Sequence, residues 1–364
     1  MTGSRTREFL TGLWLIVTLE LRQRVRGVSW YVLLGVFMLL VGIVTFLLWL
    51  ATSAWLSGGG GVFSTIIFFV LLLGTLVSPA LSGNAINGDR DAGTLATTQV
   101  TLISTGQLVL GKFLAAWITA LAFLAAALPF LIFAVVLGQV SLATIAISVL
   151  VLALELGVTA MVGVGLSGIL TRPLFSIVLT YLVVAALSLG TLIAFALLGT
   201  ATQHEATRVT NYVVSSTFDE TTGRQSDIIC SSPETTTYKV PRFDYFWWLL
   251  AANPYVVVAD AAPGAFDDSG FPTDLFGQIA VGVRTAQAPA ELHTEYDTCA
   301  EAATGYLDPP YDSGPSPEDA YDGAVPSWFI GLTMHLLLGA GALAWAWRRT
   351  RTPATRLPVG SRIA

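Results

Sequence analysis

The sequence predicts an all-α polytopic membrane protein with six transmembrane helices, an N-terminal amphipathic interfacial helix and an acidic extracytoplasmic region between spans five and six. Hydrophobic residues make up 54% of the 364-residue chain, charged residues only 12%, and the mean hydropathy is +0.70. These values are too apolar for a soluble domain. A bilayer core about 30 Å thick needs roughly 20 consecutive apolar residues per helix, and the chain has several uncharged runs of that length.

The first element is an amphipathic elbow helix within residues 1–28. Between Thr6 and Arg26, apolar residues recur at helical spacing, and basic residues lie near both ends of the segment. This pattern is typical of helices that lie in the membrane interface. The first apolar run follows this basic leader without a small-residue cleavage site, so we expect no removable signal peptide.

Five spans are predicted within residues 29–199 and a sixth within residues 326–348, followed by a basic tail, 349–364. Trp345 and Trp347 at the end of the sixth suit the headgroup layer. The predicted spans cover about 29–51, 62–81, 113–137, 142–166, 174–199 and 327–347.

The basic residues set the predicted orientation. Of 18 Lys and Arg, 13 fall in the N-terminal segment, the stretch 84–112, the turn at Arg172 or the C-terminal tail. Cytoplasmic loops carry the excess of Lys and Arg, and six spans place these four regions on one side. We therefore expect a multi-pass protein of the cell (plasma) membrane with both termini in the cytoplasm.

Residues 200–325 form the predicted extracytoplasmic region. It holds 19 Asp and Glu against 5 Lys and Arg, a net side-chain charge of −14, so the rest of the chain is net positive. Both cysteines, Cys230 and Cys299, lie here, and an oxidising compartment would favour a disulfide between them. Two free thiols are the alternative.

Residues 243–262 are apolar enough to suggest a seventh span. Asp244 and Asp260 leave about fifteen apolar residues between them, and Asn253-Pro254 breaks that run into halves too short to cross lipid. We predict instead a pair of short helices that dip into the outer leaflet.

The motifs indicate no catalytic or metal site. Residues Gly106 to Lys112 match G-x-x-x-x-G-K, but Phe113 follows where magnesium binding needs Ser or Thr, and no predicted strand precedes the match. No G-x-S-x-G elbow is present. We predict no enzyme activity and no cofactor bound by this chain. Three histidines lack metal-ligand spacing and are predicted to be structural or exposed: His204, His293 and His335.

Glu155 is the one acid predicted deep inside a span. An ionisable group at that depth is costly, which makes it a functional candidate. It could contact a substrate or a proton, or it could form an interhelical hydrogen bond to a Thr or Ser of a neighbouring span.

The stretch 84–112 is too polar for lipid and much longer than the other turns between spans. Residues 87–95 set charges beside a glycine, and residues 96–110 are predicted to form a short helix along the cytoplasmic face. Such an element is suited to receive force from a soluble partner.

In this stretch the chain resembles the permease subunits of ABC-2 type ATP-binding cassette exporters. The family pattern after span two is an acidic residue shortly before Gly-Thr-Leu, with Gly-Lys later opening span three, and residues 89–95 and 111–112 correspond to it. The chain departs from the pattern in carrying Asp where members often have Glu, and Thr101-Leu102 where they have Thr-Pro or Ser-Pro. Its long acidic outer region is also larger than the family's, and that region's role stays open.

The resemblance implies a permease that pairs with a second copy or a related permease in the lipid membrane. We expect no nucleic-acid partner. Separate ABC ATPase subunits would bind ATP and Mg. In the family a coupling helix after span two sits in a groove of the ATPase, which assigns that contact here to Asp89, Arg90, Asp91, Gly93, Thr94, Leu95, Gly111 and Lys112.

Export of a hydrophobic or amphiphilic substrate is the function that this resemblance implies. Three alternatives stay open: a proton- or sodium-driven secondary transporter with Glu155 as the coupling group, ATPase-coupled mechanotransmission through the outer region, and a receptor or scaffold anchored by the spans.

Overall fold

The structure is a computed structural model that describes residues 2–55, 60–93, 103–138, 140–219, 224–303 and 316–351. This part of the chain is mostly helical and contains six helical segments long and apolar enough to cross a membrane. The six predicted spans are therefore confirmed as helices of sufficient length and apolarity, and the protein is a multi-pass membrane protein. The segments are Val28–Thr52, Gly61–Asp91, Thr105–Gly138, Leu142–Ile169, Pro173–Ala201 and Trp328–Thr350.

The N-terminal part consists of one helix, Thr2–Arg26, followed by four spans. The helices are α1 (Thr2–Arg26), α2 (Val28–Trp55), α3 (Gly60–Ser82), α4 (Asn87–Asp91), α5 (Thr105–Gly138) and α6 (Leu142–Ile169). Ser141 begins α6 by accepting a hydrogen bond from the backbone N–H of Thr144 at 3.0 Å, as Ser commonly does at a helix N-terminus.

The predicted short helix at 96–110 does not form a separate element where the structure describes it. Residues 105–110 are the first turns of α5, which continues into span three. Of the rest of that prediction, residues 96–102 lie outside the described residues, and residues 103 and 104 precede the helix. The helix starts earlier than hydropathy indicates because its polar first turns pack on α1, a contact that local apolarity does not record.

Span five is interrupted by a single π-helical turn, which the sequence analysis did not predict. Helix α7 (Pro173–Ala185) leads into the turn Ala186–Gly190, and α8 (Thr191–Ala201) completes the span. Such turns leave backbone groups displaced from the regular ladder and are common at functional sites.

The acidic region adds strands to the predicted all-α architecture. Strand β1 (Gln203–Asn211) pairs antiparallel with β4 (Glu234–Pro241) and parallel with β5 (His293–Asp297). Strands β2 (Val213–Asp219) and β3 (Arg224–Cys230) form a hairpin. The β-branched Thr and Val in these segments favour strands. Most of their described side chains are exposed, so the apolar alternation that predicts a half-buried strand is missing.

The pair of short helices predicted at 243–262 is present as α9 (Trp247–Ala251) and α10 (Pro254–Ala261), separated at Asn253-Pro254. We call α9 and α10 the short helix pair; their depth in the membrane stays a prediction. The remaining helices are α11 (Leu275–Thr285), α12 (Thr298–Ala303), α13 (Pro317–Gly323) and α14 (Trp328–Thr350).

The bundle has two chemically different ends. We call the end next to residues 200–325 the acidic end, and the end where α1 meets the start of α5 the basic end. At the acidic end, Ser64 of α3 accepts from the backbone N–H of Leu275 at 3.1 Å, and Thr144 of α6 donates to the carbonyl of Pro263 at 3.1 Å. At the basic end, α1 packs on the start of α5, and Ile86 packs in one apolar cluster with residues near the ends of α6 and α14. The larger core between α2, α3, α5, α6, α10 and α11 fills the space towards the acidic end.

Candidate functional site

A buried lysine joins three segments at the basic end. The Lys112 Nζ lies 2.5 Å from Glu20 Oε1 of α1 and 2.8 Å from Asp89 Oδ2 of α4, and only 2% of the Lys112 side chain is exposed. We call Glu20, Asp89 and Lys112 the basic-end cluster. A buried ammonium is costly unless it is paired, and two carboxylates supply that pairing here.

Gly111 lets α1 reach the lysine. A Cβ atom at this position would lie 2.8 Å from Cγ2 and 2.9 Å from Cβ of Ile16, closer than carbon atoms can pack. Next to it, the Gln107 side chain donates to the backbone carbonyl of Phe9 at 3.0 Å. The Gly-Lys pair singled out in the sequence therefore seats α1 on α5.

Arg90 and the backbone before it fasten α4 to the end of α6. The Arg90 Nη1 donates to Asn87 Oδ1 at 2.6 Å and to the carbonyl of Leu170 at 2.9 Å. The Ser167 hydroxyl accepts from the backbone N–H groups of Ile86 and Asn87 at 3.0 and 3.1 Å. A displacement of α4 would therefore act on span four.

The accessible part of the predicted coupling segment is short. Asp91 and Gly93 are exposed, whereas Asp89 and Arg90 are partly buried in contacts within the chain. Gly93 has φ +70°, a left-handed conformation that glycine adopts without steric cost. Thr94 and Leu95, also predicted to contact a partner, lie outside the described residues.

The residues that match a phosphate-binding loop are helical. Gly106 to Lys112 belong to the first turns of α5, and the Lys112 ammonium is already held by carboxylates. A phosphate-binding loop instead wraps its backbone N–H groups around the phosphate.

The second candidate site is a buried acid–imidazole pair between spans four and six. Glu155 lies midway along α6, and its Oε1 and Oε2 are 2.9 and 3.0 Å from His335 Nδ1 of α14. Both side chains are at most 3% exposed. Sequence reasoning named an interhelical hydrogen bond of Glu155 as one hypothesis but expected Thr or Ser as the partner. A histidine inside another predicted span was the signal that could have identified it.

The other face of His335 contacts the short helix pair. His335 Nε2 lies 2.9 Å from the carbonyl oxygen of Ala252, directly before the Asn253-Pro254 break. Asn253 Nδ2 donates to the carbonyl of Ser188 at 2.6 Å and to Thr191 Oγ1 at 3.0 Å, at the π turn of span five. Asn253-Pro254, the break that argued against a seventh span, is thus held by hydrogen bonds to spans five and six.

A second buried ion pair holds the acidic end. Asp260 accepts from Arg284 Nε at 2.7 Å, from the Ser327 hydroxyl at 2.9 Å and from the Trp328 backbone N–H at 3.0 Å. The Ser327 backbone N–H is a further donor to the same carboxylate. Asp260 therefore caps α14 from α10. Sequence reasoning used this aspartate only as a limit to an apolar run.

A cavity of about 470 Å³ opens beside span five at the acidic end. Phe195, Phe243 and Asp244 contribute to its wall. Arg242 holds the Asp244 carboxylate through two hydrogen bonds of 2.8 and 2.5 Å, and this contact keeps the pKa of Asp244 below its usual value. The wall therefore combines aromatic and small apolar residues with the polar side chains of Asp244 and Thr285.

Cys230 and Cys299 form a disulfide with a Cα–Cα distance of 5.8 Å, which ties β3 to α12. Within the described ranges, no three His, Cys, Asp or Glu side chains converge as a metal site.

In comparisons with known proteins, no protein-family model and no curated protein matches this chain.

Proposed function

We propose that this protein is the membrane permease subunit of an ABC-2 type exporter, driven by ATP that separate ATPase subunits bind with Mg and hydrolyse. The observation that carries the proposal is the basic-end cluster. It locks the predicted coupling segment to α1 and α5, while Asp91 to Gly93 stay exposed beside it. This arrangement provides both a surface for a soluble partner and a rigid attachment to the spans.

Force applied at α4 has a short route into the membrane. Ser167 and the Leu170 carbonyl bind α4 to the end of α6. Helix α6 in turn packs closely on α14, where a Cβ at Gly165 would lie 2.6 Å from the Cβ of Ala342. Interfaces this tight move as units, so a shift of α4 would move spans four and six together.

The substrate that fits this proposal is hydrophobic or amphiphilic. The cavity beside span five offers aromatic and aliphatic walls with the Arg242–Asp244 pair at its edge. A second permease, either the same chain or a related one, would complete the translocation path. The excess of basic residues at the α1 end supports the proposal that this end and both termini face the cytoplasm at the plasma membrane.

The test is affinity purification of the tagged chain from its native membrane, followed by identification of co-purifying ATPase subunits and by ATP-dependent transport in proteoliposomes. Asp91→Lys should reduce ATPase recovery and transport by about tenfold, since it reverses an exposed charge at the predicted contact. Asp268→Lys makes the same change at an exposed position of the acidic end and should have no effect. Equal ATPase recovery from both variants would contradict the assigned interface.

Mechanotransmission is a second candidate, favoured by the contact of Asp260 with Arg284 and Ser327. This contact joins α14 to the helices of the acidic region, so motion of span six would reshape that region. An ATPase-dependent change in protease sensitivity of the acidic region, without substrate flux in proteoliposomes, would favour mechanotransmission over export.

A further inference from the structure

His335 bridges two groups that both accept hydrogen bonds when Glu155 is ionised. The Ala252 carbonyl can only accept, so His335 Nε2, 2.9 Å away, must carry a hydrogen to bond it. His335 Nδ1 faces both carboxylate oxygens of Glu155 at 2.9 and 3.0 Å. A neutral imidazole has only one N–H. It cannot donate to an ionised carboxylate and to a carbonyl at once.

Both contacts form together only when the pair holds one additional proton. Either Nδ1–H of an imidazolium donates to the carboxylate, or a protonated Glu155 donates to the bare Nδ1. The two descriptions contain the same number of protons. When that proton leaves to solvent, the pair retains a carboxylate and one imidazole N–H. His335 can then bond Glu155 or Ala252, but not both.

Burial makes this loss consequential. Glu155 and His335 are at most 3% exposed, so no surface water can replace a hydrogen bond that is lost between them. An unpaired negative charge is also costly at this depth. The proton is therefore exchanged together with a structural change and not by simple titration of a solvated side chain.

The surrounding elements supply few other charges. Helices α3 and α9 and the π turn carry no Asp, Glu, His, Lys or Arg. Of the remaining neighbours, α10 carries Asp260, which is paired with Arg284 of α11, and α5 carries Lys112, which is paired with Glu20 and Asp89. Two tyrosines also lie on neighbouring helices, Tyr255 on α10 and Tyr181 on α7. Asp260 and Lys112 are thus paired within their own clusters, and the ionisable partner that contacts Glu155 is His335.

We propose that Glu155 and His335 form an intramembrane proton-binding site whose proton ties the short helix pair to span six. Its ligand is the proton itself. Release of the proton frees Ala252, the last residue before the Asn253-Pro254 break, and loosens α9 and α10 from α14. The inference goes beyond the proposed export function, since it holds whether or not an ATPase drives the protein.

The test is hydrogen–deuterium exchange of the peptide covering residues 247–261 in the full-length protein in lipid nanodiscs. Exchange is followed from about pH 5 to about pH 9, a range that brackets the ordinary histidine pKa of about 6.5, with rates corrected for intrinsic pH dependence. We expect protection to fall roughly tenfold as pH rises, corresponding to loss of one hydrogen bond. A peptide from α3 serves as internal reference and should not change.

Glu155→Gln is the decisive variant because an amide can donate to Nδ1 of a neutral imidazole or accept from an imidazolium. It keeps both bonds without the additional proton, so protection should be high at every pH. His335→Gln removes the bridging ring and should give low, pH-independent protection. His293→Gln changes an exposed histidine of the acidic region and should leave the wild-type response intact.

A pH-independent wild type would overturn the proposal. So would a response in Glu155→Gln that matches the wild type, because it would assign the titration to another group. If one Glu155 or His335 variant does not fold, the wild type, the other variant and His293→Gln still decide between these outcomes.

Discussion

Lys112, Asp260 and His335 each connect segments that are far apart in the sequence. Lys112 and Glu20 are 92 residues apart, Asp260 and Ser327 are 67 apart, and His335 and Glu155 are 180 apart. In an apolar environment, a polar group without a hydrogen-bond or ionic partner is strongly destabilising. These pairs therefore fix which helices are neighbours.

Lys112→Met should destabilise the basic end. Without the ammonium, Glu20 and Asp89 face each other as like charges, although both remain partly exposed to water. We expect a loss of about 2 kcal/mol in the free energy of unfolding, less than for a fully buried pair. Denaturant titration in mild detergent measures it. The double variant Lys112→Met with Glu20→Gln should recover part of the loss; no recovery would contradict the pairing.

Asp260→Ala should be the most damaging single change at the acidic end. It leaves Arg284 and the first backbone donors of α14 without their shared acceptor, at an expected cost of about 3–5 kcal/mol. Thermal unfolding in nanodiscs checks this expectation. Asp268→Ala, an exposed aspartate of the same region, should change stability by less than about 0.5 kcal/mol. Equal melting of the two variants would rule out the capping role.

Acidification should weaken the contact between Arg242 and Asp244. Hydrogen bonding to Arg242 lowers the pKa of Asp244 in the folded protein. A lowered pKa contributes stability at pH values above the ordinary aspartate value of about 3.9, and this contribution is lost as pH falls through the folded pKa. Melting temperature should therefore fall in acid, and Asp244→Asn should remove part of that dependence. An unchanged acid limb in the variant would exclude Asp244 as its source.

Close helix contacts are the main feature at the scale of elements. The contact of α1 with α5 depends on Gly111, and that of α6 with α14 depends on Gly165 and Gly168, where an added Cβ would come within 2.6 Å of Ala342 and Ala346. Small residues let membrane helices approach, and van der Waals packing then holds them. The α6 and α14 pair links the basic end to the acidic end.

Gly111→Ala should separate α1 from α5. The new Cβ would overlap Ile16, and overpacking of this kind costs about 1–3 kcal/mol. Ile16→Ala in the same chain should restore much of the loss. Gly35→Ala is the matched control, because no atom lies within 4 Å of its added Cβ and alanine favours a helix. If Gly111→Ala and Gly35→Ala unfold at the same denaturant concentration, the close approach is unimportant.

At the scale of the whole molecule, charge separates the two ends of the bundle. The acidic region, its sheets and α9 to α13 lie at one end, and α1, α4 and the Arg-rich end of α14 lie at the other. An even number of spans is required for α1 and the end of α14 to share a side. The described helices provide six.

Cysteine labelling in intact cells tests this topology. The native cysteines are joined in a disulfide, so a thiol-specific reagent will report an introduced cysteine. Thr235→Cys and Ser269→Cys flank the short helix pair and should both react with a membrane-impermeant maleimide from outside, whereas Thr11→Cys should react only after permeabilisation. Opposite sidedness of positions 235 and 269 would require a seventh span.

Hydropathy predicted the six apolar helices, and Asn253-Pro254 predicted the break between the two short helices, because both signals depend on residues that are close in the sequence. The strands of the acidic region escaped this reasoning, since their Thr-rich faces are mostly exposed and carry no apolar period. The π turn of span five was also missed, because its displaced carbonyl at Ser188 is stabilised by Asn253 from another part of the chain.

The sequence by itself determined that this chain has six helices able to span a membrane and, to within several residues at their ends, where these helices lie. Only the tertiary structure decided the partners: Lys112 between Glu20 and Asp89, Asp260 at the start of α14, and His335 between Glu155 and Ala252. Membrane insertion depends on the local transfer of apolar residues into lipid. Pairing depends on which helix faces pack together, and that geometry is set by contacts between residues up to 180 positions apart.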